Sequence, residues 1–294
     1  MKTKILISAA NGVVMTTLIK RLRKKFYVVG IDAEINGNAN ESCDEFYHAP
    51  KGNTKKFIPF IKRISKKVDY IFFFADEEIL NINRNKHLLK RLDKKIILSE
   101  KKTINICLNK KIFYHFCKIN GISIPTESYS KEMIAKPIYG RGSKNIFKIK
   151  NKNDYLFFKK KGDFIVQKFI QGTEFTVDCL FDEKNDLVFS LPRIRIVHNG
   201  VSIIGKIVKN NKINKFIKNL SNKLKFTGPI NIQLIKDKKN KLWIIEVNPR
   251  LSGSIEFSIK AGFNPILYYQ KNKKKNVHYK IEYNKIYKRF FSIK

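Results

Sequence analysis

Residues 135–145 read AKPIYGRGSKN, a run whose residue types suit a polyphosphate. Lys136 precedes a proline and is therefore held extended, and its ammonium can place a point charge on phosphate oxygens. Gly140 and Gly142 carry no side chain, so backbone N–H groups around them and around Ser143 can approach those oxygens closely. The run is not GxxxxGK[ST], and its strand-like flanks argue against a P-loop. A plain glycine-containing hairpin accounts for the same residues about equally well, since Gly and Ser are common in turns.

A second set lies in residues 231–253, NIQLIKDKKNKLWIIEVNPRLSG. Two apolar runs flank a polar turn, which predicts a hairpin with Gln233 opposite Glu246 and a loop at 238–241. Glu246, Asn248 and Arg250 share parity and project to one side if the chain stays extended. Gln233, Glu246 and Asn248 then offer oxygens to Mg²⁺, which takes a few such ligands completed by water and phosphate. Arg250 could hold a carboxylate or an acyl phosphate through two parallel hydrogen bonds; a buried Glu–Arg pair is the alternative. Between the two sets, residues 166–178, VQKFIQGTEFTVD, read as strand, turn at Gly172 and strand. Exposed backbone there could read an adenine edge, and Glu174 could accept from ribose hydroxyls. Residues 192–206, PRIRIVHNGVSIIGK, put Arg193 and Arg195 on one strand face, where they either clamp an anionic substrate or form a solvated basic strand. On the first of these readings Arg193→Ala raises the substrate KM more than the ATP KM.

The elements that must carry these residues follow from periodicity. A strand at 4–9, a helix at 13–25 and a strand at 26–31 make a βαβ start. A helix at 54–67 with Phe57, Phe60, Ile61 and Ile64 on one face, a strand at 70–74, a helix to about 92 and a strand at 95–98 continue it, so a parallel sheet with helices on both faces is expected. The turn at 8–12 lacks GxGxxG, and structure alone explains it. Thr103 is expected to cap one long helix with Ile104, Cys107, Leu108, Ile112, Phe116 and Ile119 along a face, ended by Gly121 and Pro125. From 133 to 247 short strands dominate, interrupted by helices near 153–161 and 210–224. A last helical stretch begins near 254, and the tail after 270 is rich in Lys, Asn and Tyr and weakly patterned.

With 294 residues and 43% apolar content the chain should fold as two or three packed units. Its formal charge of +37 comes from 61 basic residues, of which ten are Arg, spread through every segment without interleaved aromatic platforms. That spread reads as compositional bias, and no specific nucleic-acid partner is expected. No run of about eighteen uncharged apolar residues occurs, so no membrane span is expected and a cytoplasmic location is. Cys43, Cys107, Cys117 and Cys179 have no CxxC spacing and read as reduced, mostly buried thiols.

In this order the three motif segments resemble the ATP-grasp superfamily, most closely the synthetase domains of carbamoyl-phosphate synthase and the related carboxylate-amine ligases. The resemblance implies an α/β chain with a Rossmann-like pre-ATP-grasp domain at 1–100. A two-subdomain α+β ATP-grasp fold at 101–270 would follow, with its mobile phosphate-loop subdomain at about 126–170, and then a basic tail at 271–294. It implies ATP and Mg as cofactors, with Lys110, Lys136, Gly140, Gly142 and Ser143 on the phosphates. Gln167, Lys168, Phe169 and Ile170 would hold adenine, and Glu174 the ribose. Gln233, Glu246 and Asn248 match metal positions, and Arg250 the arginine beside the acyl-phosphate site. Position 167 departs from the usual Glu of the family; Gln at 233 follows the carbamoyl-phosphate synthase branch. The implied reaction is ADP-forming ligation of a small-molecule carboxylate with an amine or other nucleophile, with Lys136 and Arg250 catalytic. Enzymes of this kind are often homodimers. A nucleotide-binding module without turnover and a basic nucleic-acid-binding protein remain the alternatives.

Overall fold

The computed structural model describes residues 1–140, 145–199, 201–270 and 278–290. Gly142 and Ser143 lie outside the described residues. In chain order the first part contains β1 (Thr3–Ile7), α1 (Met15–Arg23), β2 (Phe26–Asp32), α2 (Ala39–Ser42), β3 (Glu45–His48), α3 (Phe57–Ile64), β4 (Tyr70–Phe72) and α4 (Asp76–Arg84). The strands form one parallel sheet in the order β3-β2-β1-β4. Ile5, Leu6 and Ile7 are fully buried because helices cover both faces, as a near-continuous apolar strand demands. The expected strand at 95–98 is a single parallel bridge between Ile71 and Ile96. α3 begins three residues later than its apolar pattern suggests. Thr54 spends both its N–H and its hydroxyl on the Lys51 carbonyl, which makes a turn in place of a helical start.

Next come α5 (Lys101–Leu108) and α6 (Lys110–Ile119), where one helix was expected. Asn109 is extended, and its side chain accepts from the Ile112 N–H, so it ends one helix and caps the next. The break turns the following face. Phe113, Tyr114 and Cys117 are buried, while Ile112 and Ile119 are 47% and 68% exposed, against the continuous stripe that the spacing predicts. Thr103 does not cap; it is buried inside α5 and donates to the Lys225 carbonyl.

The remaining elements are β5 (Met133–Pro137), β6 (Phe147–Ile149), α7 (Lys152–Lys161), β7 (Phe164–Lys168), β8 (Gly172–Phe181), β9 (Leu187–Asn199), β10 (Val201–Ile207), α8 (Asn211–Ser221), β11 (Gly228–Asp237), β12 (Leu242–Asn248), α9 (Ile255–Lys260) and β13 (Ile286–Lys288). Strands β6-β5-β7 make a small antiparallel sheet over a core of Met133, Ala135, Ile149 and Val166. Strands β12-β11-β8-β9-β10-β13 make a larger one, buried against α6 and α8 through Phe113, Cys117, Ile213, Ile217 and Leu220. The Asn-rich composition serves here, since Asn109, Asn151 and Asn210 each cap a helix with the side-chain oxygen. Residues 286–288 of the tail are a strand on the edge of the larger sheet, with Tyr287 buried; three residues are too few to leave a pattern. All four cysteines are buried free thiols, and among the described residues no helix is long and apolar enough to cross a membrane.

Candidate active site

β11 and β12 set Gln233 opposite Glu246, as the hairpin reading requires, with a bulge after Gln233 that brings Leu242 opposite Lys236. Along β12, Asn248 Nδ2 donates to Glu246 Oε1 at 2.9 Å, and Arg250 Nη2 lies 3.5 Å from Asn248 Oδ1. The expected convergence of these side chains is therefore observed. Arg250 also makes a bond that sequence reasoning missed, Nε to Asp76 Oδ1 at 2.6 Å, which ties the hairpin to the first turn of α4. Burial works against the Arg250 charge, yet Asp76, Glu246 and Glu77 outweigh it and hold the guanidinium above its ordinary range.

Lys136, on β5, is buried. Its ammonium lies 3.3 Å from the Tyr114 hydroxyl and 3.4 Å from the Ile245 carbonyl, and 5.0 Å from the centre of the Tyr114 ring. Burial lowers its pKa to about 8, opposed by Glu246 and assisted by Lys110. Lys110, at the start of α6, donates to the Gly140 carbonyl at 2.9 Å. Gly140 has φ +136°, a conformation that residues with side chains rarely adopt. The Gln167 side chain is buried and accepts from the Tyr114 hydroxyl at 2.5 Å, so Tyr114 stands between Lys136 and Gln167.

The segment expected to read a base edge is partly engaged already. The N–H of Lys168 donates to Thr126 and that of Phe169 to Glu132, while Ile170 follows in the turn before β8. Gly172 opens β8 against the Lys236 carbonyl, so close that a Cβ there would lie 2.3 Å from the oxygen. Glu174 pairs with Arg195 at 3.4 Å, and Arg195 also lies 3.4 Å from Gln233 Oε1, which brings the Glu174 and Gln233 positions together.

Arg193 is placed otherwise than expected. It is 0% exposed, 3.6 Å from Asp178, and donates to Ser202 and Ser254 hydroxyls, so its guanidinium is enclosed in the core and offers no face to a substrate. Parity puts Arg193 and Arg195 on one face, but α9 covers Arg193, whose guanidinium stacks on Phe257.

A cavity of about 470 Å³ opens between these elements. It is lined by Lys110, Tyr139, Gly140, Glu246, Val247 and Asn248, together with Asp76, Glu77, Leu80 and Arg84 of α4. The arrangement can receive a polyanion near Lys110 and Lys136, with oxygen donors on Glu246 and Asn248 and the Arg250 guanidinium bonded to Asp76 and Asn248 of the lining.

Comparison with solved structures decides the fold. N5-carboxyaminoimidazole synthetase from Staphylococcus aureus complexed with ADP superposes with a TM-score of 0.70 at 17% identity, covering 89% of this chain and 74% of that one. The L-amino acid ligase of Bacillus licheniformis superposes with a TM-score of 0.67 at 15% identity, covering 89% and 71%. Residues 160–288 match the family described as ATP-grasp in the biosynthetic pathway with Ter operon. The chain has the ATP-grasp fold, and the family match covers residues 160–288 of it. Among curated relatives, the carbamoyl phosphate synthase large chain of Pseudothermotoga lettingae is 26% identical over 252 residues, 74% of this chain and 22% of that one. That of Clostridium botulinum strain Langeland is 34% identical over 119 residues, 37% and 11%. The chain thus spans less than a quarter of the length of these curated relatives. Asp76, Tyr114, Tyr139 and the α4 lining are the parts of the candidate site that sequence reading missed. Asp76 sits in an acidic first turn that reads as ordinary helix-dipole complementarity.

Proposed function

We propose that the chain uses ATP with Mg²⁺ to activate a carboxylate as an acyl phosphate for attack by an amine or other nucleophile. The observation that carries the reading is one cavity lined by Lys110, Gly140, Glu246 and Asn248, with Lys136 buried against the Ile245 carbonyl and Arg250 bonded to the lining residues Asp76 and Asn248. On this reading residues 1–100 are a Rossmann-like pre-ATP-grasp domain and 101–270 the grasp proper. Residues 126–170 form the subdomain that closes over the phosphates, and 271–294 are a tail. S. aureus N5-carboxyaminoimidazole synthetase with its bound ADP and the carbamoyl phosphate synthase relatives support the nucleotide and the reaction class.

The donor set fits a hard cation. Among the described residues no three His, Cys, Asp or Glu cluster to hold a metal, so the ion would rest on Glu246 with the amide oxygens of Gln233 and Asn248 and on nucleotide phosphate. Bound there, Mg²⁺ would offset phosphate charge. Lys136 and Lys110 neutralise phosphate oxygens, and the backbone at Gly140 lets the chain lie close to them. Arg250, held by Asp76, orients the acyl group. Gln167 would position the base segment through Tyr114, while Glu174, paired with Arg195, would take the ribose and Arg195 the substrate. Phosphoryl transfer needs mainly positioning and charge, so no nucleophilic side chain is required.

The reading is tested by an ADP-release screen over pools of carboxylates and amines, together with ATP binding by Lys136→Ala. Release of ADP by one pair and loss of ATP binding in the variant are expected. Unchanged binding in Lys136→Ala refutes the site.

A further inference from the structure

We infer that Arg195 makes binding ordered: Glu174 and Gln233 hold its guanidinium until a nucleotide and its cation take those two partners, and the released guanidinium then receives the carboxylate substrate. The inference rests on the proposed reaction, with the ribose at Glu174, the cation at Gln233 and the substrate at Arg195, and adds the order in which they are filled. It comes from one polar face of the larger sheet. Phe175 pairs with Ile194, so Glu174 and Arg195 are neighbours across β8 and β9. Gln233 stands on β11, on the far side of β8. To reach it the Arg195 side chain crosses the intervening strand.

The hold on Arg195 is loose. A single nitrogen, Nη1, lies 3.4 Å from Glu174 Oε2 and 3.4 Å from Gln233 Oε1, where charge-assisted bonds close to about 2.7–2.9 Å. The side chain is 8% exposed, and its Nε is buried without a partner. Arg193 also leaves Nε without a partner, but it is fixed through both terminal nitrogens, 2.8 Å from the Ser254 hydroxyl and 3.1 Å from that of Ser202. Arg195 ends instead on two groups that cannot serve a second partner at the same time. A guanidinium 3.4 Å from an amide oxygen repels any cation that the same oxygen would ligate. A carboxylate that accepts from ribose hydroxyls gives up part of its hold on Nη1. Nucleotide and cation therefore compete with Arg195, and their arrival strips a nearly buried charge of its counter-groups. A buried cation without a partner is costly, and an anion restores the pair. The carboxylate thus follows the nucleotide, and by linkage each tightens the other.

Two measurements on the full chain test this. Calorimetric titration with MgADP compares the unaltered protein with Arg195→Met, which keeps most of the aliphatic stem and removes the competitor. The variant should bind MgADP about threefold more tightly, the worth of a partly exposed ion pair that no longer has to be broken. Labelling by 2,3-butanedione, located by peptide mass spectrometry, follows the guanidinium itself in the unaltered protein. MgADP should raise the labelling rate of Arg195 severalfold, while Arg193, enclosed in the core, stays unlabelled in both states. An arginine that bound phosphate would instead be protected by MgADP, and its loss would weaken binding. Equal or weaker MgADP binding in Arg195→Met, or a labelling rate that MgADP leaves unchanged or lowers, overturns the inference. Labelling decides alone where the variant fails to fold. Failure of MgADP to bind the unaltered protein is seen before either comparison, and it removes the proposed function along with the inference.

Discussion

Arg193→Met should destabilise the protein by about 3–5 kcal/mol, the cost of leaving one partner of a buried ion pair without the other. Arg193 and Asp178 are 0% and 2% exposed at the side chain, and their charged atoms lie 3.6 Å apart. Without the guanidinium, Asp178 retains only neutral donors, the Ser258 hydroxyl at 2.6 Å and the Asn231 amide at 3.4 Å. Methionine keeps most of the aliphatic stem, so the loss reports charge and hydrogen bonding more than volume. Asp178→Asn should cost a similar amount by orphaning the arginine. The double variant should cost less than the sum by about 2 kcal/mol or more, because the two residues share one interaction. Equilibrium urea unfolding of the four proteins, followed by two probes to check that the transition is cooperative, supplies the numbers. A loss below about 1 kcal/mol in Arg193→Met, with a raised substrate KM, would refute the structural role and restore Arg193 as a substrate clamp.

Two further expectations concern protons. Lys136 titrates at about 8 in the free protein, and bound phosphate favours its charged form, so ATP binding above that pH must take up a proton. The ATP Kd should therefore rise about tenfold between pH 7 and pH 9, while Lys136→Arg should give a flat profile; equal slopes in both proteins would count against the assignment. Glu78 is buried beneath the β1 turn, where burial raises its carboxyl to about 8 and the Ser8 hydroxyl, which donates to it, only partly offsets this. Its folded pKa lies above the unfolded one, so the folded state binds more protons. Stability should fall as pH rises from about 5 to 8, by up to roughly 1.4 kcal/mol per unit. Thermal melts should show that slope flattened in Glu78→Gln, and an unchanged slope would place the titration elsewhere.

The parallel sheet was legible because strands buried on both faces leave continuous apolar runs, as Ile5 to Ile7 do. The Gln233–Glu246 pairing was legible because a short polar loop sets hairpin register, and the bulge changed only the residues beyond it. The break at Asn109 was not. A side chain that caps a helix also suits a position inside one, and only the buried Phe113 and Tyr114 show which face won. Arg193 and Arg195 illustrate a different limit. Parity fixes a strand face, but not what lies on it two residues further along, here α9 over one arginine and Gln233 beside the other. Asp76 and Arg250 are separated by 174 positions, and nothing local in either segment points to the other.

Tyr114 carries one more consequence. Its single hydroxyl faces the Lys136 ammonium on one strand and the Gln167 amide on a neighbouring strand. The lysine has the donor and the amide oxygen the acceptor, so the hydroxyl proton has one direction to point while the lysine is charged. Whatever draws the ammonium away also withdraws the donor behind the phenol and loosens its hold on the amide. The two neighbouring positions on the small sheet therefore sense each other through one rotating proton, and changes made at one should not add simply to changes made at the other.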